Sequence, residues 1–451
     1  MQWLGYVVGK LSVTRFATLL LTLAILLYFY WTVFRNGGID SRYLVRRYFP
    51  CDQQPFSVQS FLKHDSEICS HCFKRGTSGT QTRDGFWDHD TCIINISQTS
   101  DEGLARVLRC GIENTRLSES MWFFATLVRE ITISRLERDV KTRLERAIEY
   151  RRTQQESVLR AAPNRLSITL QGAQGGLGNF LFELASTMGV AKRNERNVVL
   201  LSKDARLRYF EGLNLPVDPT LANLTQLGEA TCCKYNARTE NLSATAGNRT
   251  VSLTGYLQSW KYFHHMKADI ITGFTFRKNT FDEALDAISK GMSELALIVP
   301  AKTSRLKRIQ ALPVLIGVHV RRGDILYGGN KDHGHTPATE EYLLRAALSM
   351  RDAYDAVLFV VVSNDLPYCK KVFLNQNNFI FVSVSEDVDM AVMNLMDHVI
   401  LSVGTFGFWS AYLNPRNRTV FYFRNWPRNG SQLQNLVDHA DYFPPRWTAA
   451  M

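Results

Sequence analysis

From residue 166 onward, short apolar runs rich in β-branched residues alternate with segments of helical pattern. The runs cover residues 168–170, 198–201, 314–320, 357–362, 379–384, 399–401 and 420–423. Strands that alternate with helices in this way are typical of parallel sheets with helices on both faces. The segment is long enough for two such sheets. We therefore predict an α/β fold with two Rossmann-type parallel-sheet halves.

Residues 16–34 carry no charge, are rich in leucine and lie between Arg15 and Arg35. A helix of this length spans the roughly 30 Å hydrocarbon core of a bilayer. A cleaved signal peptide is the alternative, but its apolar region is usually about 7–15 residues long and ends in small residues. Here residues 28–34 are bulky and aromatic. We predict a cytoplasmic tail at 1–15 and a transmembrane signal-anchor at 16–34.

The side of the membrane that holds the remaining chain is decided by two opposing signals. Basic residues follow the apolar segment more often than they precede it, which by the positive-inside rule places the body in the cytosol. Six Asn-x-Ser/Thr sequons favour a lumenal body, because only such a domain is glycosylated. The sequons are at Asn95, Asn223, Asn241, Asn248, Asn417 and Asn429. We predict a lumenal body with glycans at these positions.

Residues 35–165 are predicted to form a stem. Five of the eight cysteines lie between residues 51 and 110, which suits disulfide bonds in an oxidising compartment, with the pairing left open. The spacing of Cys69 and Cys72 also fits zinc, but the sequence has no second Cys-x-x-Cys pair to complete such a site. Disulfide bonds are therefore favoured over metal.

Apolar residues recur at helical spacing near the end of this stem. They are Ile133, Leu136, Val140, Leu144 and Ile148. The spacing predicts an amphipathic helix of several turns that ends before Pro163. We expect the helix to pack against the body. The alternative is a stem helix that self-associates, so that the stem or the transmembrane segment forms a homodimer.

The net charge limits the partners of this chain. Lys and Arg number 53 against 42 Asp and Glu, which gives a formal net charge of +11. Nucleic acid, membrane headgroups and phosphorylated small molecules are the anionic partners that such a charge favours. The sequence has no zinc finger, RNA-recognition signature or long basic run. Nucleic acid is therefore not expected as a partner.

The first candidate site is a glycine-rich loop, residues 172–179, between a predicted strand and a predicted helix. Glycines allow tight turns, and the start of the helix offers free N–H groups to an anion or a sugar hydroxyl. The candidate binding residues here are Gly176, Gly178 and Asn179, and Glu183 lies one turn further on the same helix face. A tight strand-to-helix turn without a ligand is the structural alternative.

The second candidate site follows the apolar run 314–320. His319 and Arg321 share one face of a strand, and ligands of open parallel sheets bind beyond the carboxyl ends of the strands. Arg321 and Arg322 are suited to a diphosphate, because a guanidinium makes bidentate, charge-assisted hydrogen bonds. Asp324 is in a position to orient one arginine or a donor hydroxyl. A surface charge cluster is the alternative.

Two further polar segments stand at the ends of later strands. The first consists of Ser363, Asn364 and Asp365, and the second begins a helix with Thr405, Phe406 and Gly407. Backbone N–H groups at a helix start favour an anion, and a carboxylate such as Asp365 accepts hydrogen bonds from a base or ribose. Both segments are predicted to bind the same ligand as the arginine pair.

These motifs together carry a family resemblance. In order along the chain they are Gly-Gly-Leu-Gly-Asn179, His319-Val-Arg-Arg-Gly-Asp324, Ser363-Asn-Asp365, Gly404-Thr-Phe-Gly-Phe-Trp-Ser-Ala411 and Tyr442-Phe-Pro-Pro-Arg-Trp447. Between residues 166 and 447 the chain resembles the galactoside 2-alpha-L-fucosyltransferase family. The resemblance does not cover the stem.

The resemblance implies a single-pass, type II Golgi membrane enzyme with a GT-B-like architecture. Residues 166–310 would be the acceptor-side half and residues 311–449 the GDP-fucose-binding half. The enzyme would transfer L-fucose with inversion from GDP-fucose to a galactoside hydroxyl, in an alpha-1,2 linkage and without a metal. By the same resemblance, Arg321 and Arg322 would hold the GDP diphosphate.

Several alternatives stay open. The same donor is also used with an N-glycan core or a protein as acceptor, and a non-catalytic, membrane-anchored sugar-binding protein is a further alternative. Asp324, Glu183 and His319 are candidates for a catalytic base. The Asp-x-Asp pairs at residues 88–90 and 387–389 suggest a metal, but a helix-like apolar stretch at 390–400 explains the second pair as helix-capping. No metal cofactor is therefore expected.

Overall fold

The computed structural model describes residues 121–160, 166–170, 175–229, 232–298, 312–354, 356–374, 376, 378–416 and 418–450. All of these belong to one compact unit, Leu104–Met451. The predicted anchor at 16–34, the cysteines between 51 and 110, and the sequons at Asn95 and Asn417 lie outside the described residues. Within those ranges, no helix is both long enough and apolar enough to cross a membrane.

The unit alternates helices and strands from β1 onward. The helices are α1 (Met121–Arg160), α2 (Leu177–Arg193), α3 (Ala237–Glu240), α4 (Leu242–Thr245), α5 (Lys267–Gly273), α6 (Lys278–Ile298), α7 (Gly328–His333), α8 (Glu340–Ala353), α9 (Leu366–Val372), α10 (Glu386–Asn394), α11 (Thr405–Tyr412), α12 (Gln432–Leu436) and α13 (His439–Tyr442). The strands are β1 (Ser167–Leu170), β2 (Asn197–Val198), β3 (Thr225–Gly228), β4 (Val251–Thr254), β5 (Val314–Val320), β6 (Val357–Ser363), β7 (Phe379–Val382), β8 (His398–Leu401), β9 (Val420–Phe423) and β10 (Thr448–Ala450). Single 3-10 turns cover Ala205–Tyr209, Trp260–Tyr262, His264–Met266 and Gly323–Ile325.

The strands form two parallel sheets, as predicted. The first has four strands in the order β2-β1-β4-β3, and the second has six in the order β10-β9-β8-β5-β6-β7. Every pairing is parallel. Nearly every residue of β5 and all of β6 are buried, because helices cover both faces of such a sheet, and strands of this kind are apolar throughout. The predicted α/β class is confirmed.

Two predicted strands are shorter in the structure. The run 198–201 contributes β2 and then only an isolated bridge between Leu200 and Val217. The run 379–384 ends at Val382, because the N–H of Val384 donates to Oδ1 of Asp389 (2.9 Å) instead of joining the ladder. Short apolar runs identify a strand better than they locate its ends.

The two sheets are joined through α2 and α11, which pack on each other. Phe182 of α2 lies 4.5 Å from Phe408 and 5.2 Å from Trp409, measured between ring centroids. Phe180, Leu181 and Phe182 are all buried. The apolar residues that follow Asn179 therefore belong to the core between the sheets, where aromatic rings bury a large area.

The predicted amphipathic helix exists and packs against the body. Helix α1 contacts α5 and α6, with Leu136 and Val140 buried. Ile148, which we placed on the packed face, is 51% exposed, and Ala147 is buried instead. A step of four residues turns about 400°, so the position drifts about 40° per step and Ile148 lies about 120° from Leu136. The choice of Ile148 was wrong for that reason.

The predicted helix-like stretch 390–400 was correct only as far as Asn394. Helix α10 ends at Asn394, and strand β8 begins at His398 between β5 and β9. A continuous apolar run does not distinguish a helix from a buried strand. Asp387 and Asp389 do lie in the first turn of α10, where carboxylates are favourable. In the described part of the chain, no group of three or more His, Cys, Asp or Glu residues is arranged for a metal.

The described sequons and cysteines lie in different surroundings. Asn223, Asn241, Asn248 and Asn429 are exposed. Their side chains are therefore accessible, and glycosylation there stays a prediction.

Cys232 and Cys233 are bonded to each other. Cys369 is buried and free, and burial raises the pKa of its thiol to about 11.

Candidate active site

The predicted motifs meet at one edge of the six-stranded sheet. Strands β8, β5 and β6 are neighbours, and their register pairs His319 with Leu401 and Val320 with Ser363. The polar segments that follow these three strands therefore begin at the same level of the sheet. Ligands of parallel sheets bind beyond such carboxyl ends.

Arg321 is fixed by its neighbours on both sides. Its backbone N–H donates to Oγ of Ser402 (2.8 Å), which comes directly after β8. Its Nε and Nη2 donate to the carboxylate of Asp324 at 3.1 and 2.5 Å. The hydrogen bonds from Arg321 hold the pKa of Asp324 below its usual value. Asp324 therefore holds the side chain of Arg321 in place, and a role toward a donor hydroxyl stays a prediction.

Gly404 makes room for this arginine. Its φ is +93°, a value that favours glycine. A Cβ at Gly404 would lie 2.6 Å from Nη1 of Arg321. Gly404 is therefore needed both for the positive φ of the turn and for the space that the Arg321 guanidinium occupies.

Arg322 is held in a different way. Its backbone N–H donates to Oδ1 of Asn364 (2.8 Å), and its Nε lies 3.3 Å from Oδ2 of Asp365. The centre of its guanidinium lies 3.9 Å above the ring of Tyr368. Its side chain is 26% exposed, against 27% for Arg321. Both arginine side chains are therefore partly exposed to solvent.

Asn364 joins the two arginine sites. Its Oδ1 accepts from the backbone N–H of Arg322 and of Gly323 (3.3 Å), while its Nδ2 donates to Oδ1 of Asp324 (3.3 Å). Ser363 accepts from the N–H of Asp365 (2.8 Å). The segment after β6 thus shapes the loop that carries the arginines. Binding of a ligand by its residues stays a prediction.

His319 is a buried residue of β5, two positions before Arg321. It is 4% exposed, and burial, together with the charge of Arg321, lowers its pKa to about 3. Its Nδ1 lies 3.2 Å from Oγ of Ser402, and its ring stacks on Phe406. A Cβ at Gly407 would lie 2.6 Å from the same Nδ1. The side chain is therefore neutral and tightly enclosed.

The glycine-rich loop reaches the second sheet at Thr405. The hydroxyl of Thr405 donates to Oδ1 of Asn179 (2.8 Å), which also accepts from Nε2 of Gln258 (3.2 Å). A Cβ at Gly178 would lie 2.6 Å from the backbone N of Phe406. Asn179 and Gly178 thus hold the first sheet against the start of α11. Gly176 lies at the N-cap of α2 with open space beside it.

Glu183 is a buried residue of α2. It is 4% exposed, and its charge favours the protonated state of Arg206. Arg206 lies 4.5 Å above the ring of Phe180 and donates to the backbone carbonyl of Gly175 (2.8 Å). Glu183 is therefore buried and interacts electrostatically with Arg206. A catalytic role of Glu183 stays a prediction.

Sequence reasoning missed Tyr368, Gln258 and Arg206. Tyr368 lies three residues after Asp365, and an aromatic residue one turn beyond a polar strand end was the available signal. Gln258 and Arg206 carry no local signal, because their partners Asn179 and Gly175 are distant along the chain.

Comparison with known proteins identifies the family of this chain. Residues 152–450 match the family model of glycosyl transferase family 11. Galactoside alpha-(1,2)-fucosyltransferase 1 of Saimiri boliviensis boliviensis and that of Gorilla gorilla gorilla are each 27% identical over 281 residues, covering 60% of this chain and 72% of the relative. Among solved structures, the fucosyltransferase NodZ from Bradyrhizobium is 15% identical, covers 56% of this chain and 95% of its own, and has a TM-score of 0.37.

The family match spans more than half of the chain and includes every motif from the glycine-rich loop to the C-terminal aromatic segment. The resemblance predicted from those motifs is confirmed. The chain belongs to glycosyl transferase family 11 and is a glycosyltransferase.

Proposed function

We propose that this enzyme transfers L-fucose from GDP-fucose to a hydroxyl of a terminal galactoside, in an alpha-1,2 linkage and with inversion. The observation that carries the proposal is the pair of partly exposed guanidinium groups of Arg321 and Arg322 at the carboxyl ends of β5, β6 and β8. The names of the curated relatives support the donor and the acceptor. The two parallel sheets, facing each other through α2 and α11, support a GT-B-type arrangement.

In the proposed reaction, an acceptor oxygen attacks the anomeric carbon from the face opposite GDP. The bond from that carbon to the β-phosphate oxygen breaks, and GDP leaves with the electron pair. Charge therefore develops on the diphosphate, where preorganised donors stabilise the transition state. Arg321 and Arg322 supply charge-assisted hydrogen bonds at this point. Asn179 and Thr405 hold the acceptor-side sheet against the donor-side sheet.

The candidate bases differ in their surroundings. His319 is enclosed and Glu183 is buried beside Arg206, whereas Asp324 is 45% exposed. Asp324 is a weak base, because Arg321 stabilises its ionised form. An oxocarbenium-like reaction needs little assistance from a base. We therefore assign Asp324 the orientation of Arg321 and propose that the acceptor proton passes to solvent water as the new bond forms, without a strong protein base.

The predicted Golgi location, the lumenal orientation and the anchor at 16–34 are part of the same proposal. A partner with terminal galactose and a donor with a diphosphate both fit a lumenal enzyme that modifies glycans. The basic net charge of +11 also suits an anionic donor.

Donor binding tests the proposal first. Calorimetric titrations of the purified full-length chain with GDP-fucose, GDP-mannose and UDP-galactose, each with EDTA, should show the tightest binding for GDP-fucose. Transfer assays with lactose, N-acetyllactosamine, an N-glycan core and a protein acceptor then identify the acceptor class. Transfer only to the N-glycan core or the protein would show that the acceptor is not a galactoside. A folded protein that binds no GDP-fucose would contradict the proposed donor.

A further inference from the structure

Asp365 connects Arg322 and Tyr368 in a triangle. Oδ1 of Asp365 accepts from the backbone N–H of Tyr368 (3.2 Å) at the start of α9, and Oδ2 faces Nε of Arg322 (3.3 Å). The central carbon of the Arg322 guanidinium lies over the Tyr368 ring, 3.9 Å from its centroid. One carboxylate therefore places both the arginine and the ring on which the arginine rests.

This contact determines which edge of the guanidinium is presented. A ring below the guanidinium plane leaves the N–H groups in that plane, because stacking and hydrogen bonding use different directions of the group. Asp365 takes the Nε edge. The terminal nitrogens of Arg322 thus form a fork whose plane is set by Tyr368.

The side chain of Arg321 is bound differently from that of Arg322. Its Nε and Nη2 are both bound to Asp324, so its side-on fork is occupied. The two arginines are therefore not equivalent: Arg321 is bound to a carboxylate through Nε and Nη2, whereas Arg322 meets a carboxylate at Nε and a ring at the face of its guanidinium. A ligand phosphate meets a fork that is already oriented at Arg322.

The hydroxyl of Tyr368 is not needed for this arrangement. Burial raises the pKa of this phenol, although the charge of Arg322 acts in the opposite direction. Within the described ranges, Arg322 contacts the ring face, and phenylalanine offers a similar face. Leucine fills part of the same volume without a π-system.

We propose that Tyr368 is a positioning residue that holds the terminal fork of Arg322 toward the phosphates of a nucleoside diphosphate. This inference rests on the proposed function, which supplies the diphosphate. Tyr368 acts through Arg322 and touches no reacting atom. Its loss weakens recognition of phosphate and leaves recognition of the nucleoside intact.

Paired variants of the full-length chain test the inference. Calorimetry with GDP and with guanosine compares Tyr368→Phe, Tyr368→Leu and a control, Tyr354→Leu, which removes a ring stacked on His398 (4.8 Å between centroids). For Tyr368→Leu, the Kd for GDP should rise about tenfold, as expected for a cation–π contact of moderate strength. Tyr368→Phe should stay within about twofold, and guanosine affinity should not change in either variant.

Equal losses for guanosine and GDP, or equal losses in the Phe and Leu variants, would overturn the role. A double-mutant cycle adds a second criterion: in an Arg322→Ala background, Tyr368→Leu should have no further effect on GDP binding. The same cycle, measured on thermal unfolding without ligand, reports the Arg322–Tyr368 contact itself. If the cycle shows no coupling energy between Arg322 and Tyr368, the inference is overturned. If the cycle shows coupling but the wild-type chain does not bind GDP, the proposed function is overturned instead.

Discussion

The hydroxyl of Thr405 donates a 2.8 Å hydrogen bond to Oδ1 of Asn179, across the contact between α11 and α2. These residues are separated by 226 positions in the chain, yet both lie in the first turn of a helix: Thr405 is the first residue of α11 and Asn179 is the third residue of α2. The bond ties the glycine-rich loop of the first sheet to the loop beside Arg321. The relative position of the two sheets thus depends on a contact between two short motifs.

A methyl group at Gly178 should separate these helices. A Cβ there would lie 2.6 Å from the backbone N of Phe406, and backbone cannot move aside as a flexible side chain can. We expect Gly178→Ala to lower the thermal unfolding midpoint by several degrees. Gly176→Ala is the matched control, since a Cβ at Gly176 meets nothing within 4 Å. Equal midpoints for the two variants would show that the close approach is unimportant.

Arg322→Lys should remove most of the activity. Lysine keeps the charge but lacks the planar fork, so it does not reproduce bidentate contact with a phosphate. Loss of one such transition-state donor typically costs about 2.7–4 kcal/mol, or at least a hundredfold in kcat. Steady-state kinetics with GDP-fucose provides the measurement. Arg345→Lys, in an exposed pair with Glu341, controls for the substitution itself, and wild-type turnover of Arg322→Lys would refute the assigned role.

Asp397 should be essential for the docking of α1. Its Oδ2 accepts from Arg135 of α1 and from the backbone N–H of Leu315, both at 2.9 Å, and its Oδ1 accepts from Arg416 at 2.6 Å. Removing one partner of a largely buried ion pair leaves the others uncompensated, at a cost of about 3–5 kcal/mol. We expect Asp397→Ala to be destabilised by roughly that amount in denaturant unfolding.

The comparison for Asp397→Ala is Glu341→Ala. Glu341 pairs with Arg345 on the surface of α8, with both side chains mostly exposed. Such pairs contribute about 0–1 kcal/mol. A similar small loss for both variants would mean that α1 does not depend on the charges beneath it, and hydrogen exchange along α1 would show whether the helix detaches.

The stability of the fold should decline below neutral pH because of His319. Its pKa is lowered to about 3 in the folded protein, whereas an unfolded histidine titrates near 6.5. Between these values only the unfolded chain binds the proton, so stability falls as the pH falls below about 6.5, by about 1.4 kcal/mol per pH unit for this side chain. Above that pH the contribution is constant.

His319→Gln provides the measurement of this effect. The variant should be less stable than the wild type at pH 7.5, since it loses the contacts with Ser402 and Phe406. Its stability should fall less steeply between pH 7 and 5, although His335, whose pKa is lowered to about 4 by burial, still contributes. Parallel curves for the two proteins would contradict a neutral His319.

The sheet and its polar edge could be predicted from sequence because both depend on local patterns. Buried parallel strands such as β5 and β6 are continuous apolar runs, and polar residues at their ends, such as Arg321 and Asp365, must lie at one edge. The contacts that complete the site depend on tertiary structure. Gln258 meets Asn179 from a distant loop, and the contact of Tyr368 with Arg322 requires the register of two strands.

The errors have physical causes of the same kind. Ile148 was placed on the packed face of α1 because steps of four residues drift around a helix, and burial of Arg143 against Asn394 shows that the true face also accepts charge. The stretch after Asn394 was assigned to a helix because burial on all sides hides the period that separates a helix from a strand.

The most direct test of the proposed function is transfer of fucose itself. Radiolabelled GDP-fucose is incubated with the full-length chain, N-acetyllactosamine and EDTA, and the linkage of the product is determined by NMR. Fucose in an alpha-1,2 linkage on galactose is the predicted result. A folded chain that neither transfers fucose to any acceptor nor hydrolyses GDP-fucose would contradict it.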